Sequence, residues 1–252
     1  MIDATPLLHL GLLLVRPGTL ILAAPPFGST FAPPAVKVGL TVLLALTLVP
    51  VVEVPAAASA VGLAGTVMRE FAIGLAMALA IRALIAAAEF GGHLIGFQMG
   101  LGYSAIVDPQ AGVRNNLLAA MYANVAVVTF LITNGHHAFL RGLRDSYIRL
   151  PIGSGHIGES LPLSIASQLG LIFTLGVRLA APVVVVLVVT ELAMALLARS
   201  APALNLMADG ASVRLIVGML LLAVVVPAAF SVIAGYATPV LEAGARTADA
   251  FR

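Results

Sequence analysis

An all-α, membrane-associated fold follows from three features of the sequence. Of 252 residues, 61% are hydrophobic and only 10% are charged. Soluble domains are usually about half apolar and about a quarter charged, so this chain cannot cover itself with a charged surface. The apolar residues gather into stretches at 7–24, 36–52, 59–88, 115–133, 163–198 and 212–235, most of them near the roughly 20 residues that a spanning helix needs. They are rich in alanine, leucine and valine, and backbone at membrane depth must satisfy its own hydrogen bonds, which a helix does.

The elements follow in order. The first apolar stretch carries the first positive charge, Arg16, inside itself rather than ahead of it, which argues against a cleavable signal peptide. The linker 25–35, PPFGSTFAPPA, is proline-rich and expected to be extended or turned. Further linkers are expected at 53–58, 89–114, 134–162 and 199–211. As one helix, 163–198 would extend about 54 Å, against a hydrocarbon core of about 30 Å. It reads either as two pieces kinked at Pro182 or as one helix projecting from the bilayer. The linkers holding Arg141, Arg144 and Arg149, and Arg199 and Arg214, would fall on opposite sides if the segments alternate. The positive-inside rule then yields no consistent topology, and the helices are not ordinary spans.

Composition excludes several functions. The net charge is +2, with no basic run, which argues against nucleic-acid binding. There are twelve arginines and one lysine, Lys37, a bias that suits desolvated or interfacial cations. Cysteine is absent, which removes disulfides, thiolate metal sites and cysteine nucleophiles. Tryptophan is absent too, so half of the usual interfacial aromatic belt is missing. No glycine-rich loop leads to Lys37 and no G-x-S-x-G motif is present; no enzyme activity and no cofactor are expected. His136 and His137 are adjacent, whereas metal-binding pairs on a helix favour a spacing of three or four. Glu89, His93 and Asp108 would make a short proton relay; the plainer reading is hydrogen-bonded structural groups.

Arg16, Arg69, Glu70, Arg82, Arg178 and Glu191 lie inside apolar stretches, where a charge is costly without a partner or a water-filled cavity. Arg16 and Arg82 fit snorkelling at helix ends. Glu70, Arg178 and Glu191 are expected to make polar contacts between helices or subunits.

The most unusual segment is GFQMGLGYSAIVDPQAG at 96–112. On its approach, small residues recur every four positions: Ala88, Gly92, Gly96, Gly100 and Ser104. On a helix they form one stripe drifting about 40° per step, which lets a second helix approach closely. Gly100 and Gly102 then loosen the helix, and Asp108-Pro109 forces a turn. A polar break at membrane depth is tolerated only inside protein or beside water, so the segment reads as a re-entrant loop lining or blocking a conduit, with a surface hairpin loop as the alternative.

These residues resemble the FliR/SctT family of type III secretion export-gate subunits, and its flagellar FliR branch in particular. GFQMGLGYSAIVDPQAG is similar to the family's G-x-Q-x-G…DP loop. In the same order, VRPGTLILAAPPFGSTFAPPAVK, REFAIGLAMAL, FLITNGHHAFLRGLRDSYIRLPIG and LARSAPALNLMADGASVRLIVGML resemble its other landmarks, so the resemblance spans nearly the whole chain. The usual glutamine after Pro202 is Ala203 here.

The resemblance implies a single domain, 1–252, of bent helical hairpins within a multi-subunit export gate of the bacterial inner membrane, at the flagellar basal body. Its partners would be FliP-like and FliQ-like subunits, and its cargo unfolded flagellar proteins. It implies a channel plug made of Gln98, Met99, Gly100, Leu101, Gly102, Tyr103, Ser104, Ala105, Ile106, Val107, Asp108, Pro109 and Gln110, with Met99, Tyr103 and Ile106 sealing. Gly92, Gly96, Glu70, Arg178 and Glu191 are expected to pack helices or subunits. Two other readings stand beside it: an SctT-type subunit of a virulence secretion system, and a secondary transporter with a helix broken at 100–109.

Overall fold

The computed structural model describes residues 5–24, 32–52, 60–101, 117–156, 158–200 and 206–251. Seven helices occur among the described residues: α1 (Thr5–Ala23), α2 (Pro34–Leu48), α3 (Ala60–Gln98), α4 (Leu117–Ile132), α5 (Gly135–Arg149), α6 (Leu161–Ser200) and α7 (Leu206–Asp249). The all-α expectation holds. Several boundaries move outward. α3 continues ten residues past the apolar stretch that announced it, and α7 runs from 206 to 249 rather than 212 to 235. α6 is one continuous helix with Pro182 inside it, so the two-piece reading of 163–198 is replaced.

Among the described residues three helices are long and apolar enough to cross a membrane: α3, α6 and the Gly210–Asp249 part of α7. The bent pair α4–α5 makes a fourth if taken as one span. α3, with 39 residues, and α6, with 40, reach about 60 Å each, twice the hydrocarbon thickness of about 30 Å. Of its most apolar window, α3 has 67% buried inside the protein, against 33% for α6 and 22% for α7. α3 is thus a core helix, whereas α6 and α7 keep large apolar faces uncovered.

α4 and α5 meet at a 69° bend. Its chemistry is local. Asn134 sits at φ 57°, a left-handed conformation that asparagine tolerates better than most residues. A Cβ on Gly135 would stand 2.8 Å from Phe130 O, so only glycine fits there. α5, expected as part of a linker, is a helix whose buried face carries Phe139, Leu143, Ser146 and Tyr147. Arg141, Arg144 and Arg149 are therefore helix-surface charges rather than loop charges, and the alternation assumed in counting linkers does not apply.

The chain forms two compact units, one of residues 1–83, 130–170 and 237–252, the other of 84–129 and 171–236. The first is organised around Arg16, which is fully buried. Its Nε donates to Glu70 Oε2 at 2.8 Å, Nη1 to Ser146 Oγ at 3.0 Å and Nη2 to Leu150 O at 3.1 Å. The Tyr147 ring lies under the guanidinium, 4.1 Å away. The Ser146 hydroxyl donates to Leu143 O, which leaves its lone pairs for Arg16. Glu70 is equally buried, and its second oxygen faces the Gly153 N–H at 3.5 Å. Arg69 Nη1 donates to Gly153 O, so the turn after α5 is held on both sides. In that turn Ser154 N–H bonds Pro151 O, and Gly153 has φ 79°, as the third residue of a type II turn requires. Gly74 completes the contact: a Cβ there would lie 2.8 Å from Arg16 O. The snorkelling expected of Arg16 is overturned, because three hydrogen bonds, one of them an ion pair, replace its water; Arg82 is exposed.

The same unit is closed by the end of the chain. Arg149 pairs with Asp249 at 2.9 Å, His156 N–H bonds Phe251 O at 2.7 Å, and the Gln168 amide bonds Thr247 Oγ1.

Removing one partner of a buried ion pair leaves an orphan charge and costs about 3–5 kcal/mol. Arg16→Leu is expected to lose stability on that scale, read as thermal unfolding in detergent of the chain assembled with its expected partner subunits. Arg16→Leu combined with Glu70→Leu is expected to lose clearly less, because no charge is stranded.

Candidate functional site at the root of the polar loop

The second unit contains the described part of the segment singled out by its composition. α3 ends there in a defined cap. Leu101 N–H bonds Gly96 O and Gly100 N–H bonds Phe97 O, both at 3.0 Å, and Gly100 has φ 81°. This is the Schellman arrangement, in which a left-handed residue after the last turn satisfies the open carbonyls. Gly100 therefore stops the helix rather than loosening it. Among the expected plug residues, Gln98, Met99, Gly100 and Leu101 are described; Gly102 to Gln110 lie outside the described residues.

Two contacts fix this helix end. Met99 is buried, and a Cβ on Gly218 of α7 would meet its side chain at 2.7 Å, so the missing side chain at 218 makes room for Met99. Gln98 Nε2 donates to Glu191 Oε2 of α6 at 3.3 Å, and Arg214 Nη1 of α7 donates to Glu191 Oε1 at 3.4 Å. Arg214 Nε also reaches Gly210 O. One carboxylate thus joins three helices. Beside it, Met99, Gly100 and Leu101 line a groove of about 510 Å³ with Ala211, Ser212 and Leu215.

The expected packing residues separate into distinct settings. At Gly92 a Cβ would lie 2.5 Å from Leu118 O and 2.6 Å from Ala119 Cα of α4. Gly91, its neighbour, meets α6 in the same way: its Cβ would lie 2.9 Å from Gly176 O. Phe90 covers that crossing, edge-on to Phe173 at 5.4 Å. Gly96 is buried. Arg178 is exposed, its guanidinium 5.8 Å from the Tyr236 ring. Glu70 belongs to the Arg16 cluster of the other unit. Glu89 and His93 face each other at 4.0 Å, both about half exposed, while Asp108 lies outside the described residues. The His136 and His137 ring centroids lie 4.2 Å apart, tilted by 35°, and among the described residues no three metal-ligating side chains gather. Sequence reasoning missed Gly91, Arg214 and Gly218. The last two are four apart, hence on one helix face, a spacing that was readable.

The sequence profile described as bacterial export proteins, family 1, matches residues 7–238. The chain belongs to this family of bacterial export proteins. It is similar to the flagellar biosynthetic protein FliR of Pectobacterium carotovorum subsp. carotovorum, 33% identical over 215 residues that cover 84% of this chain and 82% of the relative. Its similarity to FliR of Escherichia coli strain K12 is 32% over 218 residues, 85% and 82% of the two chains. FliR of Caulobacter vibrioides is 27% identical over 220 residues, 84% and 86%. The resemblance read from the motifs is that of a FliR-family flagellar export protein, and the apolar helices agree with a membrane export apparatus.

Gly100→Ala is expected to cost about 1–2 kcal/mol, the strain of a left-handed alanine, with Gly100→Asn costing less. Gly92→Val is expected to cost about 1–3 kcal/mol by overpacking α3 against α4. Phe97→Ala, at an exposed position, is expected to leave stability unchanged. Thermal unfolding of the chain coexpressed with its expected partner subunits, in detergent, checks all four.

Proposed function

We propose that this chain is a structural and gating subunit of the flagellar protein export channel, with residues 98–110 as a plug loop in the pore. The observation that carries the proposal is a polar, glycine-rich segment rooted by a rigid cap between long apolar helices. A gate that passes an unfolded chain must exclude ions when idle and open without breaking strong bonds. Apolar side chains such as Tyr103 and Ile106 meet both needs, since each buried one contributes only about 1.5–3 kcal/mol. In this reading Asp108-Pro109, a turn-forming pair in sequence, would hold the far end of the loop. The Gly100 cap supplies a fixed base from which the loop departs.

The setting we propose is the bacterial inner membrane at the flagellar basal body, in a hetero-oligomer with FliP-like and FliQ-like subunits. The uncovered apolar faces support it. Val185, Val189, Leu192 and Leu196 on α6, and Ile216, Leu220 and Val224 on α7, are all more than half exposed. Contiguous apolar surface of this extent marks a protein or membrane interface. The chain expressed alone in detergent is expected to aggregate or degrade, and coexpression with FliP-like and FliQ-like partners to rescue it. A monodisperse, heat-stable monomer would count against obligate partnership.

The plug is tested by removing Tyr103 to Ile106. The complex is expected to assemble and to leak, read as ion conductance across membranes without export substrate. Parental conductance in a complex shown to be intact would reduce the segment to a structural turn.

A further inference from the structure

We propose that Glu191 is a positioning residue whose carboxylate latches the end of α3, and so the root of the polar loop, to α7. The argument begins with where the charge sits. Between Pro182 and Ala198 Glu191 is the single ionisable residue, and from 211 to 235 Arg214 is the single one. An ionisable group in so apolar a run is costly and is kept for a task with a named partner. Here each has the other, at 3.4 Å, and the second carboxylate oxygen takes Gln98 at 3.3 Å. Gln98 is the last residue of α3, directly before Met99 and the Gly100 cap. The carboxylate is the hub: without it both links are lost, whereas without Arg214 the link to Gln98 survives.

The strength of the latch suits a device that opens. Glu191 is 55% exposed at its side chain and Arg214 25%. Ion pairs this accessible shift an equilibrium by no more than about fivefold, so motion of α7 against α6 releases it at little cost. Met99 against Gly218 is the apolar half of the same attachment. It keeps the helix end in place when the polar half lets go.

The meaning of the latch for gating rests on the plug reading above, but the latch has its own readout. The chain contains no cysteine, so Leu101→Cys, at a 39% exposed position beside Arg214, is a unique reporter in it. In the assembled complex, Glu191→Leu is expected to raise the rate at which a water-soluble maleimide modifies Cys at 101 by about two- to fivefold. Glu191→Gln, equal in size, is expected to give a smaller rise; if Glu191→Leu does not assemble, it carries the test. The exchange Glu191→Arg with Arg214→Glu is expected to restore the parental rate, because the Gln98 amide accepts as well as it donates. An unchanged rate in the carboxylate variants, or no recovery in the exchange, overturns the latch. A raised rate with parental idle conductance keeps the latch and separates it from gating, while the plug stands or falls on the removal of Tyr103 to Ile106.

Discussion

The buried pair of Arg16 and Glu70 is the constraint on which the first unit depends. Two charges taken out of water cost several kcal/mol each. The fold meets that cost only by bringing α1, α3 and the end of α5 to one point. Each guanidinium nitrogen finds a different acceptor: Glu70, Ser146 and the Leu150 carbonyl. None of the three elements can shift without stranding a charge. The pair therefore selects one arrangement among many that simple apolar packing would allow, since alanine and leucine faces alone specify register weakly. Gly74 is part of the same requirement, because backbones that approach this closely leave no room for a Cβ.

The second unit is built on the opposite principle. Its contacts rest on missing side chains rather than on charges. Gly91 against Gly176, Gly92 against Leu118 and Gly218 under Met99 let helices touch backbone to backbone or knob to hole. In an apolar environment such close packing is a main source of helix association. The carboxylate of Glu191, which Gln98 and Arg214 share in this unit, is half exposed. One unit is thus fastened by a desolvated ion pair and the other by close packing with a weak, partly exposed polar contact.

Much was legible in the chain itself. Helical class, membrane association and family follow from composition, from the lengths of apolar runs and from motifs at their order in sequence. The polar segment at 96–112 declared itself by contrast with its surroundings, and the stripe through Gly92 by its spacing. Helix ends were less legible. Hydropathy marks where lipid-like residues stop, while a helix stops where its last carbonyls are capped, which for α3 is Gly100 rather than Glu89, the charge just past its apolar run. The amphipathic helix α5 was hidden for a similar reason: half its residues are polar, so an apolar-run reading treats it as linker.

The sequence by itself determined that charges would sit inside apolar helices and would need partners, because no solvent at that depth can satisfy them. It could not determine which partners. Arg16 and Glu70 are 54 residues apart and Gln98 and Glu191 are 93 apart, and separations of that size leave no trace in local periodicity. Only the tertiary structure decided that Arg16 is a core residue instead of a snorkelling one. Only it decided that Arg214 and Gly218 meet the root of the polar loop. Both outcomes depend on which helix faces come together, a property of the packed chain as a whole.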